Sequence, residues 1–182
     1  MRFEATTLDG VYLLKPRVFG DARGFFLESW NARTFREAGF ELDFVQDNHS
    51  RSARGTLRGM HFQTEQTQGK LVRVTSGEVF DVAVDLRRSS ATCGQWYGTL
   101  LSAENHHQLW VPPGFAHGFL VISEYADFQY KCTDYYHPAS EACLAWDDPA
   151  VGIDWPLPAG ATPQLSAKDA AGLAWGEFPL FA

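Results

Sequence analysis

Short apolar or alternating runs, separated by glycine, proline, asparagine and aspartate, divide most of this chain and constrain its fold more than any other feature. This pattern is typical of an all-β sandwich or barrel. Two segments depart from it, because Asn31 can cap a short helix that Gly39 ends, and Ser166 can cap another turn that Gly172 closes. The candidate strands cover residues 11–18, 25–30, 44–48, 55–63, 71–75, 79–86, 95–102, 107–111, 119–122 and 128–135.

Length and charge exclude several classes of partner. With 182 residues, 45% of them hydrophobic, the chain can bury one sizeable core, and we expect a single domain over residues 1–182. A formal net charge of −7 argues against nucleic acid and anionic membranes as partners, since clustered lysine and arginine hold both. An anionic ligand must therefore meet a local basic cluster.

The first twenty residues and the cysteines bear on location. Arg2, Glu4, Asp9, Lys15 and Arg17 interrupt the start of the chain, so we expect neither a signal peptide nor a membrane span, and a cytoplasmic protein. The three cysteines, at positions 93, 132 and 143, lack the paired spacing of zinc or redox motifs. We interpret them as reduced and structural.

Two histidine patterns outline a cup. Gly55 is followed six residues later by His61, and residues 112–117 read Pro-x-Gly-x-x-His and end at His117. These patterns resemble the two halves of the cupin signature, which implies a double-stranded β-helix jelly roll. A metal-binding cupin would carry a second histidine where this chain has Gln63, and a bare histidine pair is a poor metal site. We therefore expect no metal or other cofactor, and an acid–base site in the cup.

Side-chain alternation indicates which residues face that cup. Around a turn at residues 76–77, the even positions are apolar and the odd positions, including Asp81 and Asp85, are polar, which predicts that the even set of this hairpin faces inward. Lys70 shares the even parity and is expected at the mouth of the cup. In the later strand one face is predicted to carry Phe128, Tyr130, Cys132 and, if the strand stays regular, Tyr136.

Four longer motifs resemble the dTDP-4-dehydrorhamnose 3,5-epimerase family. They are QDNHS (46–50), GTLRGMHFQ (55–63), QGKLVRV (68–74) and WVPPGFAHGF (110–119), and the resemblance runs from about Asp21 to Asp169. It implies a cupin-type jelly roll, a homodimer, no metal, and a thymidine diphosphate 4-keto-6-deoxyhexose as substrate on the route to L-rhamnose.

The chemistry of such a reaction explains the residue types. Inverting a carbon beside a ketone requires a base on one face, an acid on the other, and a group that stabilises the enolate oxygen. We expect His61 to act as the base and Tyr130 as the acid, with the Lys70 ammonium at the oxyanion and His117 as a nearby donor. The resemblance implies that Asp169 supports His61.

The resemblance also implies a nucleotide site. Arg23, Arg58 and Lys168 match positions that contact the nucleotide or its phosphates, and Tyr136 matches one that stacks on thymine. The segment 21–26 is expected to reach the partner subunit's site. Further residues on the nucleotide side are Glu28, Gln46, Asp47, Asn48 and Glu141.

One strand resists simple alternation. Arg58 and His61 differ in parity, so a regular strand would aim them at opposite faces, yet both belong to the expected site. We therefore predict a β-bulge at Gly59 that re-aims one side chain. The sequence is also compatible with two alternatives to the 3,5-epimerase: a relative that inverts only C3 or only C5, and a metal-dependent or sugar-binding cupin.

Overall fold

Two antiparallel sheets face each other and enclose the core in the computed structural model, which describes residues 1–182. The strands of the six-stranded sheet run in the order β1, β2, β10, β7, β12, β5, and those of the five-stranded sheet in the order β13, β6, β11, β8, β9. The strands are β1 (Arg2–Ala5), β2 (Tyr12–Lys15), β3 (Val18–Asp21), β4 (Gly24–Leu27), β5 (Gln46–Ala53), β6 (Leu57–Gln63), β7 (Lys70–Ser76), β8 (Glu78–Asp85), β9 (Trp96–Ser102), β10 (Gln108–Val111), β11 (Phe115–Val121), β12 (Tyr125–Cys132) and β13 (Glu141–Cys143).

The predicted all-β jelly roll with two short helices is confirmed. Helix α1 (Ala32–Glu37) begins after Asn31, whose side chain accepts hydrogen bonds from the amides of Arg33 and Thr34. Helix α2 (Ala167–Ala170) begins after Ser166, whose side chain accepts from the amide of Asp169. Both caps satisfy amide groups that a helix leaves unpaired at its first turn. No helix of the chain has the length and apolar character needed to cross a membrane.

Several strand boundaries differ from the prediction. The run 11–18 contains all of β2 and the first residue of β3, because β3 does not continue β2 but pairs with β4 as a separate two-stranded hairpin. The short strands β1 and β13 were not predicted. Strand β13 pairs only with β6, and it carries Glu141 to the edge of the five-stranded sheet.

The turn at residues 76–77 does not form the predicted hairpin. Strand β7 pairs with β10 and β12, whereas β8 pairs with β11 and β9, so the turn carries the chain from one sheet to the other. The parity that faces the interior therefore changes at this turn. Val72 and Val74 share the inter-sheet core with Val79 and Ala83.

The expectation that the even positions of β8 face the cup is therefore wrong. Phe80, Val82 and Val84 pack on the other face of the five-stranded sheet, where the C-terminal segment covers them with Trp155 and Phe178. The polar odd positions are also buried rather than exposed, since Asp81 and Asp85 have no accessible surface. Both faces of β8 are therefore buried, and the face formed by the odd positions contains two carboxylates.

Candidate active site

A cavity of about 360 Å³ opens between the two sheets. Its walls bring together most of the residues that the sequence predicted for a site. The predicted residues that line it are Gln46, Asn48, Arg58, His61, Lys70, His117, Tyr130, Tyr136, Glu141 and Lys168. The lining residues that were not predicted as part of a site are Ser50, Phe62, Gln63, Gln68, Phe119 and Phe128.

An irregularity in β6 brings Arg58 and His61 to the same cavity. The pairing with β11 shifts between His117, which lies opposite His61, and Phe119, which lies opposite Arg58. Gly59 has a φ of +132°, and a Cβ on it would lie 2.5 Å from the Cα of Gly118. Only glycine permits this close approach of the two strands. The predicted bulge is confirmed by the register shift.

His61 is held by a buried carboxylate. Its Nε2 donates to Oδ1 of Asp169 over 2.5 Å, which leaves Nδ1 as the ring nitrogen that can accept a proton. Asp169 is 3% exposed. Burial raises the pKa of Asp169, but hydrogen bonds from His61 and Ser166 outweigh burial and hold this pKa at about 2. Burial lowers the pKa of His61 despite the opposing effect of Asp169, so the imidazole is neutral at neutral pH and can act as a base.

A second histidine–aspartate pair lies directly across the sheet. The Nε2 of His117 contacts both carboxylate oxygens of Asp81 at 3.0 Å. Asp81 lies on the interior face of β8 and is fully buried. The alternation had predicted that this carboxylate lies on the face opposite the cup. The remaining nitrogen of His117 is left toward the cavity, where it can contact a ligand.

Lys70 and Tyr130 line the cavity without protein hydrogen-bond partners for their polar groups. Burial lowers the pKa of Lys70, and the nearby Cys132, Glu141 and Asp81 oppose this effect. Burial raises the pKa of Tyr130 to about 12. The phenol therefore keeps its proton at neutral pH. An ammonium and a phenol whose hydrogen-bonding capacity is unused are both available to a bound molecule.

The cavity is locally cationic in an acidic chain. Arg58, Lys70 and Lys168 line it together with one carboxylate, that of Glu141. Lys168 donates to Oε1 of Glu141 at 2.6 Å, and the Tyr136 hydroxyl donates to Oε2 at 2.7 Å. Burial raises the pKa of Glu141, but these two hydrogen bonds bring it below its ordinary value. Such a cluster suits an anionic ligand such as a diphosphate.

Tyr136 reaches the rim by a route that the alternation did not predict. Strand β12 ends at Cys132, so Tyr136 does not continue the face of Tyr130. Instead, its backbone amide donates to the side chain of Gln46 at 2.9 Å, which ties the following loop to β5. The residue is 51% exposed. An aromatic ring at the mouth of the cavity can stack on a nucleobase.

Four predicted residues do not line this cavity. One of them, Asp169, lies behind His61 and lines a neighbouring recess. Arg23 is in the exposed β3–β4 hairpin, where its guanidinium pairs with Asp21. Glu28 follows that hairpin and accepts from Asn31 and Thr34 at the start of α1. Asp47 pairs with Lys131 on the outer face of the six-stranded sheet, because its parity is opposite to that of Gln46 and Asn48.

Three side chains in the site are close enough together to hold a metal ion. Candidate ligand atoms of His61, Cys143 and Asp169 all lie within 4.8 Å of one another. However, the 2.5 Å separation of His61 and Asp169 is that of a hydrogen bond, and the Cys143 thiol donates to the carbonyl of Gly59 at 3.2 Å. Burial raises the pKa of Cys143 to about 12, and metal binding requires the thiolate. The trio therefore fits a hydrogen-bonded cluster.

Comparisons with known proteins agree on one family. The family model described as dTDP-4-dehydrorhamnose 3,5-epimerase matches residues 5–177. A dTDP-4-dehydrorhamnose 3,5-epimerase from Pseudomonas aeruginosa is 59% identical over 182 residues, which is 100% of this chain and 99% of its own. These matches span the strands that carry the cavity.

Solved structures give the same result. The Legionella pneumophila dTDP-6-deoxy-D-glucose-3,5-epimerase, in complex with dTDP-4-keto-L-rhamnose, is 56% identical and has a TM-score of 0.90, covering 94% of this chain and 90% of its own. A 3′-monoepimerase from Streptomyces bikiniensis, in complex with dTDP-quinovose, is 31% identical with a TM-score of 0.87, covering 94% of this chain and 86% of its own. This chain, an isomerase of cupin fold, therefore belongs to the dTDP-4-dehydrorhamnose 3,5-epimerase family.

Proposed function

We propose that this chain inverts C3 and C5 of dTDP-4-dehydro-6-deoxy-D-glucose to give dTDP-4-dehydro-L-rhamnose, within dTDP-L-rhamnose biosynthesis. The observation that carries the proposal is the joint lining of one cavity by a carboxylate-supported imidazole, a protonated phenol and an unpartnered ammonium, on His61, Tyr130 and Lys70. These are the three groups that epimerisation beside a ketone requires. The relatives reported above support the substrate class.

In the first step, Nδ1 of His61 removes the proton from the carbon next to the C4 ketone. The C–H electron pair moves to the ketone and forms an enolate, and the imidazole becomes an imidazolium. Asp169 stabilises that cation through the hydrogen bond from Nε2. The low pKa of Asp169 keeps its carboxylate negative throughout.

The enolate oxygen requires a positive or hydrogen-bonding partner. The Lys70 ammonium supplies a charge with no competing carboxylate contact in the protein, and His117, supported by Asp81, supplies a second polar contact. A preorganised donor of this kind contributes about 10² to 10³-fold in rate. The buried rings of Phe119 and Phe128 form an apolar part of the cavity wall, and a lower local dielectric strengthens the interaction.

Tyr130 then returns a proton to the opposite face of the same carbon. The O–H bonding pair stays on the Tyr130 oxygen as a phenolate, and the enolate collapses to the ketone with inverted configuration. Solvent then takes the proton from the imidazolium and returns one to the phenolate, so the same two steps can invert the second carbon. The pKa of about 12 keeps the phenol protonated until it is needed. A double variant of the Streptomyces bikiniensis 3′-monoepimerase, with His→Asn and Tyr→Phe replacements, has been crystallised with dTDP. The choice of one histidine and one tyrosine for replacement in that enzyme is consistent with the roles proposed for His61 and Tyr130.

The nucleotide is held at the cationic rim. We propose that Arg58 and Lys168 bind the diphosphate and that Tyr136 stacks on thymine. The polar side chains of Gln46 and Asn48 and the carboxylate of Glu141 lie on the same side of the cavity and supply neutral and acidic contacts. Asp47 is not proposed to contact the substrate, because it pairs with Lys131 outside the cavity.

We further propose a homodimer in which the β3–β4 hairpin completes the partner's nucleotide site. Within their own subunit, Arg23 and Glu28 do not line the cavity, and we propose that they contact substrate across the subunit interface. The hairpin exposes apolar rings that favour burial against a protein: Phe19 is 50%, Phe25 62% and Phe26 69% exposed. Mixing Arg23→Ala subunits with His61→Asn subunits tests this. Regained activity in the mixture supports shared sites, whereas no regain in a verified mixed dimer contradicts them.

Product identification tests the reaction itself. Proton NMR of the product distinguishes inversion at both carbons from inversion at C3 or C5 alone, which is the alternative represented by the 3′-monoepimerase relative. We expect the doubly inverted L-sugar. A singly inverted product would replace the proposal with a monoepimerase, and metal in stoichiometric amount with no inversion would favour the metal-dependent or sugar-binding cupin.

A further inference from the structure

The start of helix α2 carries a hydrogen-bond arrangement that the mechanism above does not use. Ser166 is the residue before the helix, and its hydroxyl oxygen accepts from the amide of Asp169 at 3.2 Å. The same hydroxyl donates its proton to Oδ2 of Asp169 at 2.7 Å. One side chain therefore contacts both the backbone and the carboxylate of the same residue.

These contacts fix both oxygens of the carboxylate. Oδ1 of Asp169 accepts from His61 at 2.5 Å and from the amide of Gly59 at 3.3 Å. Oδ2 is occupied by the Ser166 hydroxyl alone. Rotation of the carboxylate about its Cβ–Cγ bond would break the Ser166 contact together with the His61 contact. The hydroxyl thus stabilises the one rotamer that points Oδ1 at the imidazole.

We propose that Ser166 is a positioning residue for proton abstraction, which acts through Asp169 to hold the His61 imidazole in its reactive orientation and tautomer. This inference rests on the proposed function and extends it to a residue that does not touch the substrate. Ser166 lies in a neighbouring recess of about 320 Å³ and does not line the cavity that contains Tyr130 and Lys70. Its effect is therefore expected in kcat rather than in KM.

Helix capping alone is the competing explanation, and it makes a different prediction. Replacing a serine cap by alanine lowers protein stability, whereas glycine is itself a favoured cap residue and lowers stability much less. Glycine therefore retains most of the cap but removes the hydroxyl donor. Threonine retains both the cap and the donor. These three variants separate a structural role from a positioning role.

The test compares Ser166→Ala, Ser166→Gly and Ser166→Thr with the wild type, using steady-state kinetics, thermal unfolding and solvent deuterium exchange. We expect kcat to fall about 5- to 10-fold in the alanine and glycine variants, since one hydrogen bond is worth about 1 kcal/mol. The threonine variant should keep kcat within about twofold of the wild type. KM should stay unchanged in all three.

An NMR titration of His61 gives a readout that does not depend on turnover. Without the hydroxyl, Asp169 contacts His61 for less of the time, so the effect of burial dominates and the pKa of His61 should fall in the glycine variant. The other charged or titratable side chains around this imidazole are unchanged by the substitution; they are Lys70, His117, Glu141, Cys143 and Lys168.

Three results would overturn the inference. They are a glycine variant with wild-type kcat and an unchanged pKa of His61, a threonine variant as slow as alanine, or a rise in KM with kcat unchanged. Failure of the proposed function is distinguishable, because the wild-type protein itself would then exchange no substrate hydrogen with solvent. Normal exchange by the wild type with normal exchange by Ser166→Gly removes only the role of Ser166.

Discussion

Replacing Asp169 by asparagine should slow proton abstraction while leaving the fold intact. The amide has the shape of the carboxylate and can still accept from His61 and Gly59, but it lacks the negative charge that stabilises the imidazolium. Hydrogen bonds to charged groups contribute about 1.5 to 3 kcal/mol. At 1.36 kcal/mol per decade, kcat/KM should therefore fall about 10- to 150-fold.

The direction of the pKa change supports the same expectation. Burial lowers the pKa of His61 and Asp169 raises it, so loss of the charge moves that pKa further down and weakens the base. The assay is the rate of deuterium incorporation from solvent, with thermal unfolding to check the fold. Asp147→Asn, at an exposed carboxylate, is the matched control. An Asp169→Asn protein that exchanges within about twofold of the control would refute the reasoning, since even the smallest contribution predicted is larger.

Three further outcomes follow from the site and its support. The pH profile of kcat/KM should have an acid limb with its midpoint below pH 6.5, where His61 takes up a proton. It should also have an alkaline limb with its midpoint below pH 10.5, where Lys70 loses a proton. An alkaline limb that is unchanged in Lys70→Arg would contradict the assignment to Lys70. Lys70→Ala should lower kcat about 10² to 10³-fold, with Lys131→Ala as an unaffected control. Gly118→Ala should lower the unfolding free energy by about 1 to 3 kcal/mol, measured by urea titration, because its Cβ would lie 2.6 Å from the Met60 sulfur; unchanged stability would count against the close strand approach.

Local sequence signals predicted the elements that local chemistry determines. Asn31 and Ser166 cap their helices because a short polar side chain before an apolar turn satisfies free amides wherever it occurs. The bulge at Gly59 was also predictable, since two residues of opposite parity were both expected in one site. The register shift between β6 and β11, next to His117, is the bulge that this argument predicted.

Features that depend on sheet topology were not predictable from alternation. The turn at residues 76–77 reads as a hairpin turn, and only the pairing partners of β7 and β8 reveal that it joins two sheets. Asp81 was therefore predicted on the face opposite the cup, although it is fully buried and contacts His117. The signal that existed was the histidine pattern itself, because a buried histidine near a carboxylate of a neighbouring strand is commonly paired.

Contacts between segments that are distant in the chain could also not be predicted from local sequence patterns. Asp169 lies more than a hundred positions from His61 in the chain, and only the family resemblance implied their pairing. The hydroxyl of Ser166 was predicted as a cap and not as a contact of the carboxylate. The resemblance implied that Tyr136 belongs to the nucleotide site, and strand regularity predicted that it shares the face of Tyr130. A loop tied to Gln46 carries it to the rim instead.

Deuterium incorporation into dTDP-4-keto-6-deoxyglucose in deuterated water, followed by proton NMR, tests the acid–base account most directly. The wild-type protein should label both C3 and C5, and His61→Asn should label neither, while His49→Asn, at an exposed histidine outside the cavity, should behave as the wild type. Near-normal labelling by His61→Asn, or none at either carbon by the wild type, would contradict the account.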